Sequence, residues 1–316
     1  WPEVIDKSYF KPIEEHPSIK MDEYFGFFEY SHSSIIDANK VIEKVEEVRK
    51  ETGEIDLIVF PECSMTTSNG RDIYKKIKEH YETINNLSNI PTLILGSFSK
   101  GVKNNYGENK LEIFYTSTEG KKSIKHIGEH KNQHKHHRWF LDKSQIFNYK
   151  LGSVLAPNKK WWEYSKVSNR ELISYYCTKH DYQMSPLICE DLARQDPVAP
   201  VLRALGPNLI VALLLDGPQL SSRWPGRYAS ILSEDPGSSV LSVTSLGMTL
   251  RSDGGGFTPS RVVALWSEPG KNIELTVNKN SNAILLSLEK TSEDRWTADG
   301  RKLTYKKLNY AGHYSI

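Results

Sequence analysis

Two apolar runs of this sequence end in side chains that can do covalent chemistry. Residues 55–60 lead into Pro61 and Glu62, and residues 186–188 lead directly into Cys189. A thiol at the end of a buried strand, followed at once by two acids, is a poor choice for packing but suits a nucleophile at a strand-to-turn corner. A carboxylate that ends a second strand can serve as the base for that thiol. The pattern therefore predicts that Cys189 attacks a substrate and that Glu62 takes its proton.

A basic segment between these two runs can supply a cation to the same site. It contains Lys131 and Lys135. Because side chains on an extended strand alternate between its two faces, both lysines would face the same side. The periodicity of the segment therefore does not decide between Lys131 and Lys135.

The same segment carries histidines, which raise a metal site as an alternative. His130, His134 and His137 would share one face of a helix. No acidic or cysteine ligand accompanies them, and a strand would scatter them, so a solvated basic face is favoured and no metal or cofactor is predicted. The remaining thiols, Cys63 and Cys177, are interpreted as structural: the first lies beside a carboxylate that would raise its pKa, and the second in an aromatic run.

The predicted elements around these residues alternate between strand and helix. Residues 55–60 are a predicted buried parallel strand. After Cys189, a strand at residues 209–215, a helix at residues 223–232 and a strand at residues 239–244 are predicted. This alternation favours a layered α/β domain.

The predicted organisation is one large domain with a segment at each end. Residues 1–20 are an N-terminal arm, residues 21–290 are the domain, and residues 291–316 are a polar and aromatic C-terminal tail. Within the domain, residues 136–170 are rich in aromatic and basic side chains, and we expect an irregular insertion over the mouth of a pocket. A helix is predicted at residues 171–179, before the cysteine strand.

Bulk composition excludes several classes of protein. The chain has 316 residues, of which 38% are hydrophobic and 25% charged, and its net charge of +2 favours no particular macromolecular partner. The longest apolar stretch, residues 209–215, is too short to span a bilayer, and no signal peptide is visible, so no membrane association is predicted. Three cysteines without framework spacing favour a reducing compartment, and hence the cytoplasm. The chain begins with Trp1 rather than methionine, which favours a piece of a longer polypeptide.

The order of the motifs resembles the nitrilase (carbon–nitrogen hydrolase) superfamily over most of residues 22–290. The resemblance lies in the order and spacing of four segments. The matching segments are a strand ending in Pro-Glu (residues 57–62), a nucleophile strand (187–192), a following Gly-x-x-Leu-Ile strand (206–210), and a late hairpin with a Pro-Gly turn (259–271).

The resemblance implies an αββα sandwich that carries a Glu-Lys-Cys set and needs no cofactor. Cys189 would form a thioester-type intermediate with an amide or nitrile, Glu62 would act as the base, and a lysine would stabilise the oxyanion. Lys135 is preferred, because the chain from it to Gly152 resembles the family's path after the lysine, and Lys131 is a close second. The resemblance further implies a small-molecule substrate and a homo-oligomer.

One position departs from the family pattern. Many members place another glutamate shortly after the lysine to orient it, whereas this chain offers Asp142 or Gln145. Gln145 carries no charge, which would weaken the orientation of the lysine. The alternative hypothesis is therefore a catalytically weak or inactive nitrilase-like module, acting in assembly or in a nucleic-acid-linked function of a larger parent chain, for example fused to a defence reverse transcriptase.

Overall fold

The structure, a computed structural model, describes residues 1–13, 15–16, 19–101, 105–119, 125–253, 259–296 and 298–316. It has a mixed α/β fold. The strands of these residues are β1 (Phe10–Ile13), β2 (Phe25–Tyr30), β3 (Leu57–Val59), β4 (Thr92–Ser99), β5 (Glu108–Glu119), β6 (Lys125–His134), β7 (Phe140–Leu141), β8 (Lys160–Glu163), β9 (Tyr175–Cys177), β10 (Tyr182–Ile188), β11 (Leu209–Leu214), β12 (Ser239–Thr244), β13 (Val262–Glu268), β14 (Lys271–Thr276), β15 (Ile284–Trp296) and β16 (Lys302–Ser315). The α-helices are α1 (Ala38–Thr52), α2 (Thr67–Thr83), α3 (Lys143–Asn148), α4 (Val198–Leu205), α5 (Trp224–Glu234) and α6 (Leu246–Arg251).

Two large sheets carry the strands whose ends hold the predicted site. The first has the order β3-β4-β5-β6, with β3 parallel to β4 and the other pairs antiparallel. The second has the order β14-β13-β12-β11-β10-β9, in which β10, β11 and β12 run parallel. Parallel strands place their carboxyl ends at one edge of a sheet, and functional groups of α/β proteins gather there.

A third sheet of short strands, in the order β1-β2-β8-β7, lies beside these two. Strand β8 runs parallel to β2 and antiparallel to β7. Its core is aromatic and includes Phe10, Phe28, Trp139 and Trp161, each at most 5% exposed. This sheet fixes the end of β8, where Glu163 lies.

The hydrophobic core shows which faces pack together. One cluster joins residues of the first sheet, such as Ile94 and Ile113, to residues of the second, such as Val211 and Trp266. A second cluster covers the first sheet with α1 and α2, and a third covers the second sheet with α4 and α5. Full burial of one such aliphatic or aromatic side chain contributes about 1.5–3 kcal/mol. The two sheets and the strand ends they carry are therefore held in a fixed relation.

The alternation of strands and helices is confirmed, but two segments differ from the prediction. Residues 136–170 are not irregular, because they contain β7, α3 and β8. Residues 171–179 form no helix. Instead β9 pairs antiparallel with β10 there, and its side chains Tyr175 and Tyr176 are of a type that strands favour.

The two end segments are also built into the structure. Strand β1 of the N-terminal arm pairs with β2, and β15 pairs with β16 in a long antiparallel hairpin that runs across residue 290. The domain boundaries themselves stay predictions. Within the described ranges, the helices lack the length and apolar character needed to cross a membrane.

Candidate active site

Glu62 lies in the turn that follows β3, and backbone hydrogen bonds tie this turn to Gly96 of strand β4. The backbone N–H of Gly96 donates to Pro61 O (3.2 Å), and Ser64 N–H donates to Gly96 O (2.9 Å). A Cβ atom at position 96 would lie only 2.4 Å from the Cα atom of Glu62, so only glycine permits this approach. The Glu62 side chain is thereby fixed in a fully buried position.

Lys135 follows the last residue of β6 and binds the Glu62 carboxylate. Its Nζ atom lies 2.8 Å from Glu62 Oε1 and 2.9 Å from Glu163 Oε2, and the side chain is 1% exposed. Burial alone would lower the pKa of Lys135, but the charges of Glu163 and Glu62 raise it well above its ordinary value. Lys135 is therefore a permanent cation in the site.

Lys131 lies in a different environment. It belongs to β6, where it pairs with Ile113, and it is exposed. Among the described contacts, its side chain makes no hydrogen bond to either Glu62 or Cys189. The structure thus brings one of the two predicted lysines to the base and leaves the other at the surface.

Glu163, the last residue of β8, is the carboxylate that orients the lysine, and sequence reasoning missed it. Besides Lys135, its Oε2 atom accepts the backbone N–H of Trp139 (3.0 Å). Its Oε1 atom accepts from Asn109 Nδ2 (2.7 Å), and the same Nδ2 donates to Glu62 Oε1 (2.7 Å). Asn109 therefore ties the two carboxylates together across the site.

The two residues expected in this role, Asp142 and Gln145, have another one. Asp142 is the N-cap of α3, and its side chain and that of Gln145 form a capping box with each other's backbone N–H groups (2.9 and 3.2 Å). Both are satisfied locally, as capping boxes are. Their assignment to lysine orientation is corrected: Glu163 supplies the charge that Gln145 lacks.

A sequence signal for Glu163 exists in hindsight. Like Glu62 and Cys189, it ends an apolar run, here Trp161 and Trp162. Interpreting residues 136–170 as an irregular insertion concealed this run. Asn109 has no comparable signal, because it lies inside a long strand of mixed character.

Cys189 lies at a sharp corner directly after β10. Its backbone φ is +44°, in the left-handed region, and a 3₁₀ turn over Cys189–Leu192 begins at this residue. A non-glycine residue held at positive φ is strained, and such strain is concentrated at functional sites. The thiol is buried, with the residue 2% exposed. Burial and the charge of Glu62 raise the pKa of Cys189 well above its ordinary value, while Lys135 opposes this effect, so the resting form is the thiol.

The two carboxylates that share Lys135 differ in acidity. Burial and the nearby charge of Glu163 raise the pKa of Glu62, although Lys135 acts in the other direction. For Glu163 burial is outweighed by Lys135, Asn109 and the Trp139 N–H, so its pKa is lowered. Paired groups whose pKa values are pushed apart are typical of a site with one proton acceptor and one permanent charge. The Oε2 atom of Glu62 is buried and has no hydrogen-bond partner among the described residues, so it is available to accept a proton.

Asp191 connects the nucleophile turn to the segment that carries the lysine. It is fully buried, and its carboxylate accepts the backbone N–H of His136 (3.1 Å) and lies 3.1 Å from His137 Nδ1. Because Asp191 is two residues after Cys189 and His136 follows Lys135 directly, this contact couples the positions of both groups. The structure therefore brings Glu62 and Lys135 into direct contact, and Asp191 ties the turn of Cys189 to the residue that follows Lys135.

The described histidines of the basic segment do not form a metal site. In the part of the chain that is described, no cluster of three or more His, Cys, Asp or Glu side chains is arranged to hold a metal ion. His130 lies 3.2 Å from Glu112, and His137 contacts Asp191.

Comparison with known proteins gives distant structural similarities. No protein-family model and no curated protein matches the chain. Among solved structures, it is similar to a cysteine-to-alanine mutant of the Nesterenkonia AN1 amidase from the nitrilase superfamily (TM-score 0.47, 11% identity, 83% of this chain and 90% of that one). It is also similar to Saccharomyces cerevisiae Nit3, a member of branch 10 of that superfamily (0.43, 14%, 76% and 79%), and to the glutamine-dependent NAD+ synthetase of Acinetobacter baumannii (0.40, 14%, 76%). This chain spans 40% of the length of the synthetase, and the TM-scores are too low to support a conclusion about activity.

Proposed function

We propose that this chain is a cysteine-dependent hydrolase of non-peptide carbon–nitrogen bonds that acts on an amide or a nitrile. The observation that carries the proposal is the buried Glu62 carboxylate. One of its oxygens is bound to Lys135 at 2.8 Å, and the other has no partner among the described residues. Cys189 lies on the left-handed corner at the end of β10, where burial first and the charge of Glu62 next raise the pKa of its thiol and Lys135 opposes the rise.

In the first half of the proposed reaction, Cys189 Sγ attacks the substrate carbon while its proton passes to Glu62 Oε2. The raised pKa of Glu62 makes it a stronger proton acceptor, which suits a thiol that is not ionised at rest. With an amide, collapse of the tetrahedral intermediate returns this proton to the leaving nitrogen and leaves a thioester on Cys189. With a nitrile, the proton goes to the nitrogen of a thioimidate, and one water must add to that thioimidate before ammonia leaves and the same thioester forms. In the second half, Glu62 takes a proton from water, the resulting hydroxide attacks the thioester, and the proton returns to the thiolate.

Lys135 is the proposed stabiliser of the oxyanion. Its ammonium group is charged and buried, and a fixed charge in a water-excluded site stabilises developing negative charge far better than one in water. Glu163 and Glu62 set its direction, so no reorganisation is needed during the reaction. Lys131 is exposed and is not proposed for this role.

The proposed layering of the domain also follows from the resemblance to the nitrilase superfamily. We propose that the two large sheets form the inner layers of an αββα sandwich. The clusters that join the sheets to each other, and each sheet to its own pair of helices, support this layering. A homo-oligomer and a small-molecule amide or nitrile substrate remain part of the proposal.

The first test is the rate at which iodoacetamide alkylates Cys189, mapped by peptide mass because Cys63 and Cys177 are also free thiols. We expect Glu62→Gln to slow the reaction at neutral pH by about 100-fold, the scale of a lost general base, because no carboxylate then takes the thiol proton. This loss should outweigh the opposite effect of removing a charge that, after burial, raises the pKa of Cys189. Glu112→Gln is the matched control. Glu112 is equally buried, but its carboxylate binds Thr67, Ser97 and His130. Equal rates in the wild type and Glu62→Gln would overturn the hydrolase proposal, and ammonia release from primary amides and nitriles would then be expected to be absent.

That outcome would favour the alternative hypothesis, a weak or inactive module with a role in assembly or in a nucleic-acid-linked parent chain. Its support from the sequence was the basic segment and the uncharged Gln145 in place of a lysine-orienting acid. The ion pair of Glu163 with Lys135 weakens the second of these arguments.

A further inference from the structure

Asp216 lies at the same sheet edge as Cys189. Strand β11 ends at Leu214 and runs parallel to β10, with Leu213 paired to Ile188. Cys189 follows Ile188 directly, and Asp216 follows the end of β11 by two residues. The register therefore places Asp216 next to the nucleophile, at the carboxyl end of the neighbouring strand. Burial is the main reason why the pKa of Cys189 is raised, and the charge of Asp216 adds to this rise.

The described hydrogen bonds of the Asp216 carboxylate are all on one oxygen, Oδ1. Oδ1 accepts from Gly217 N–H (2.7 Å), from Arg223 Nη2 (3.0 Å) and from the Tyr149 hydroxyl. The side chain is only 5% exposed, and its Oδ2 atom is buried without a hydrogen-bond partner among the described residues. A buried carboxylate oxygen without a donor destabilises the fold, because it has lost its hydration and gained no hydrogen bond in return. Such an atom is rare in a folded protein and calls for an explanation.

The surroundings of Asp216 show that its orientation is fixed. Arg223 also donates to Pro218 O (2.8 Å), and the Thr244 hydroxyl donates to Asp216 O. Tyr149 belongs to the aromatic core that contains Trp139. Three donors on Oδ1 and a rigid shell leave Oδ2 as an acceptor with a set direction. A preorganised acceptor of this kind binds a donor more tightly than a mobile one, because no ordering is needed.

The charges around the site favour a cationic donor. Four buried carboxylates lie in this part of the described structure, Glu62, Glu163, Asp191 and Asp216. They outnumber the two cations Lys135 and Arg223, and Asp191 contacts His137. A hydrogen bond between a carboxylate and an ammonium group is about twice as strong as a neutral one.

We propose that Asp216 Oδ2 binds an ammonium or similar N–H donor carried by the acyl part of the substrate, and so selects amides whose acyl chain bears an amino group. This inference rests on the proposed hydrolase function for its meaning, but its binding part can be tested without turnover. Asp216 is a specificity residue in this proposal, since it contacts the substrate away from the reacting bond.

The direct test compares two thiol reagents of nearly equal size at Cys189. Aminoethyl methanethiosulfonate carries an ammonium group, and propyl methanethiosulfonate carries a methyl group in its place. We expect the wild-type protein to react at least about tenfold faster with the cationic reagent, relative to each reagent's rate with a free thiol, and Asp216→Asn to remove this preference. Asparagine keeps an oxygen for Gly217 and Arg223 but presents an N–H group where Oδ2 was.

Glu190→Gln is the charge-matched control. The pKa of Cys189 is raised first by burial and then by Glu62, and Glu190 adds a smaller effect of the same direction. Glu190, however, forms its own ion pair with Arg194 at 3.2 Å. We expect this variant to keep the preference for the cationic reagent. Equal loss in Glu190→Gln and Asp216→Asn would overturn the proposal, because the preference would then come from the general field. An absence of preference in the wild type would overturn it too.

A measurement on the wild type covers the case in which Asp216→Asn fails to fold. Propylammonium ion should slow alkylation of Cys189 by iodoacetamide, whereas propanol at equal concentration should not, and equal effects would overturn the proposal.

Matched amides then separate this inference from the proposed function. The pairs are glycinamide with propionamide, β-alaninamide with butyramide, and γ-aminobutyramide with valeramide. Both proposals are supported if an amino-bearing amide is hydrolysed with a higher kcat/KM than its partner and if Asp216→Asn removes this preference by raising KM. Hydrolysis of all six without preference overturns only the role of Asp216. A cationic preference in labelling without any hydrolysis supports the binding site and overturns the hydrolase.

Discussion

The Nζ atom of Lys135 lies 2.9 Å from Oε2 of Glu163 and 2.8 Å from Oε1 of Glu62, so one ammonium group bridges two buried carboxylates. Taking such groups out of water is unfavourable unless their partners satisfy them fully. The bridge is completed by Asn109, which donates to both carboxylates. A buried ion cluster of this kind stabilises a core less well than apolar packing would. Its geometry suits a site in which the lysine must be held in one direction.

Replacing Glu163 should weaken both the fold and the reaction. We expect Glu163→Gln to lower the free energy of unfolding by about 3 kcal/mol, at the low end for a broken buried pair because Lys135 keeps Glu62. We expect kcat to fall by about 100-fold, since a catalytic group misplaced by about 1 Å costs that much. Denaturant unfolding and steady-state kinetics on a cleaved amide measure the two effects.

The control for this change is Gln145→Ala. It removes half of the capping box of α3, so we expect a loss of stability of about 1 kcal/mol and an unchanged kcat. A fall in kcat in Gln145→Ala as large as that in Glu163→Gln would contradict the assignment of the orienting acid to Glu163.

The acid stability of the protein should also depend on Glu163. Its pKa is lowered from the ordinary value of 4.5, mainly by Lys135 acting against burial. A carboxyl group with a lowered folded-state pKa stabilises the fold above its unfolded pKa and loses that contribution as pH falls through the folded value. The stabilisation that ionised Glu163 contributes should therefore be lost as pH falls below 4.5, so the difference in unfolding free energy between wild type and Glu163→Gln should shrink there. A difference independent of pH down to acid unfolding would argue against the ionised pair.

Lys135 and Lys131 should respond differently to the same substitution. We expect Lys135→Met to lower kcat by about 100-fold to 1000-fold, the effect of losing an oxyanion-stabilising group. Lys131→Met changes an exposed side chain, so kcat should remain within about twofold and stability within about 0.5 kcal/mol. Circular dichroism must show that Lys135→Met is folded, because it leaves two buried carboxylates without their cation. A greater kinetic effect in Lys131→Met would reverse the assignment.

The pH dependence of the reaction should report on Glu62. The proposed base must be ionised, and burial together with Glu163 raises its pKa above 4.5. The rate should therefore fall as pH decreases through a value higher than that of an ordinary glutamate, and Glu62→Gln should abolish this limb. Measurement of kcat/KM from pH 4 to pH 8 tests the free protein. A limb at or below the ordinary value would contradict the proposed coupling of Glu62 with Glu163.

The sequence made Glu62 and Cys189 visible because each follows an apolar run directly, and strand ends in α/β proteins meet at one edge. It could not separate Lys131 from Lys135, because both occupy the same face of an ideal strand. The structure separates them since β6 ends at His134, so that Lys135 turns into the interior while Lys131 remains on the exposed strand.

Local patterns indicate neither the pairing that brings Glu163 to Lys135 nor the hydrogen bonding of Asp216, for two different reasons. Strand β8 has only four residues, and it is defined by pairing with β2, which lies far away in the sequence. The free oxygen of Asp216 depends on which side chains reach Oδ1, and Tyr149 and Arg223 come from separate segments. Long-range pairing of this kind is not encoded in periodicity, which reports only which face of an element is buried.

Gly96 offers a way to move the proposed base without changing any catalytic side chain. In Gly96→Ala, the new methyl group would lie 2.4 Å from Glu62 Cα, 2.6 Å from Pro61 O and 2.8 Å from Cys63 N, all of which are backbone atoms. The turn must shift, so we expect a destabilisation of about 1–3 kcal/mol and a fall in kcat of about 100-fold or more. Gly152→Ala is the control, because its methyl group would meet only Pro157 Cγ at 3.6 Å, an ordinary contact on an exposed residue. If Gly96→Ala lost stability but kept its kcat, the position of Glu62 would not limit the rate, and its role as the base would have to be abandoned.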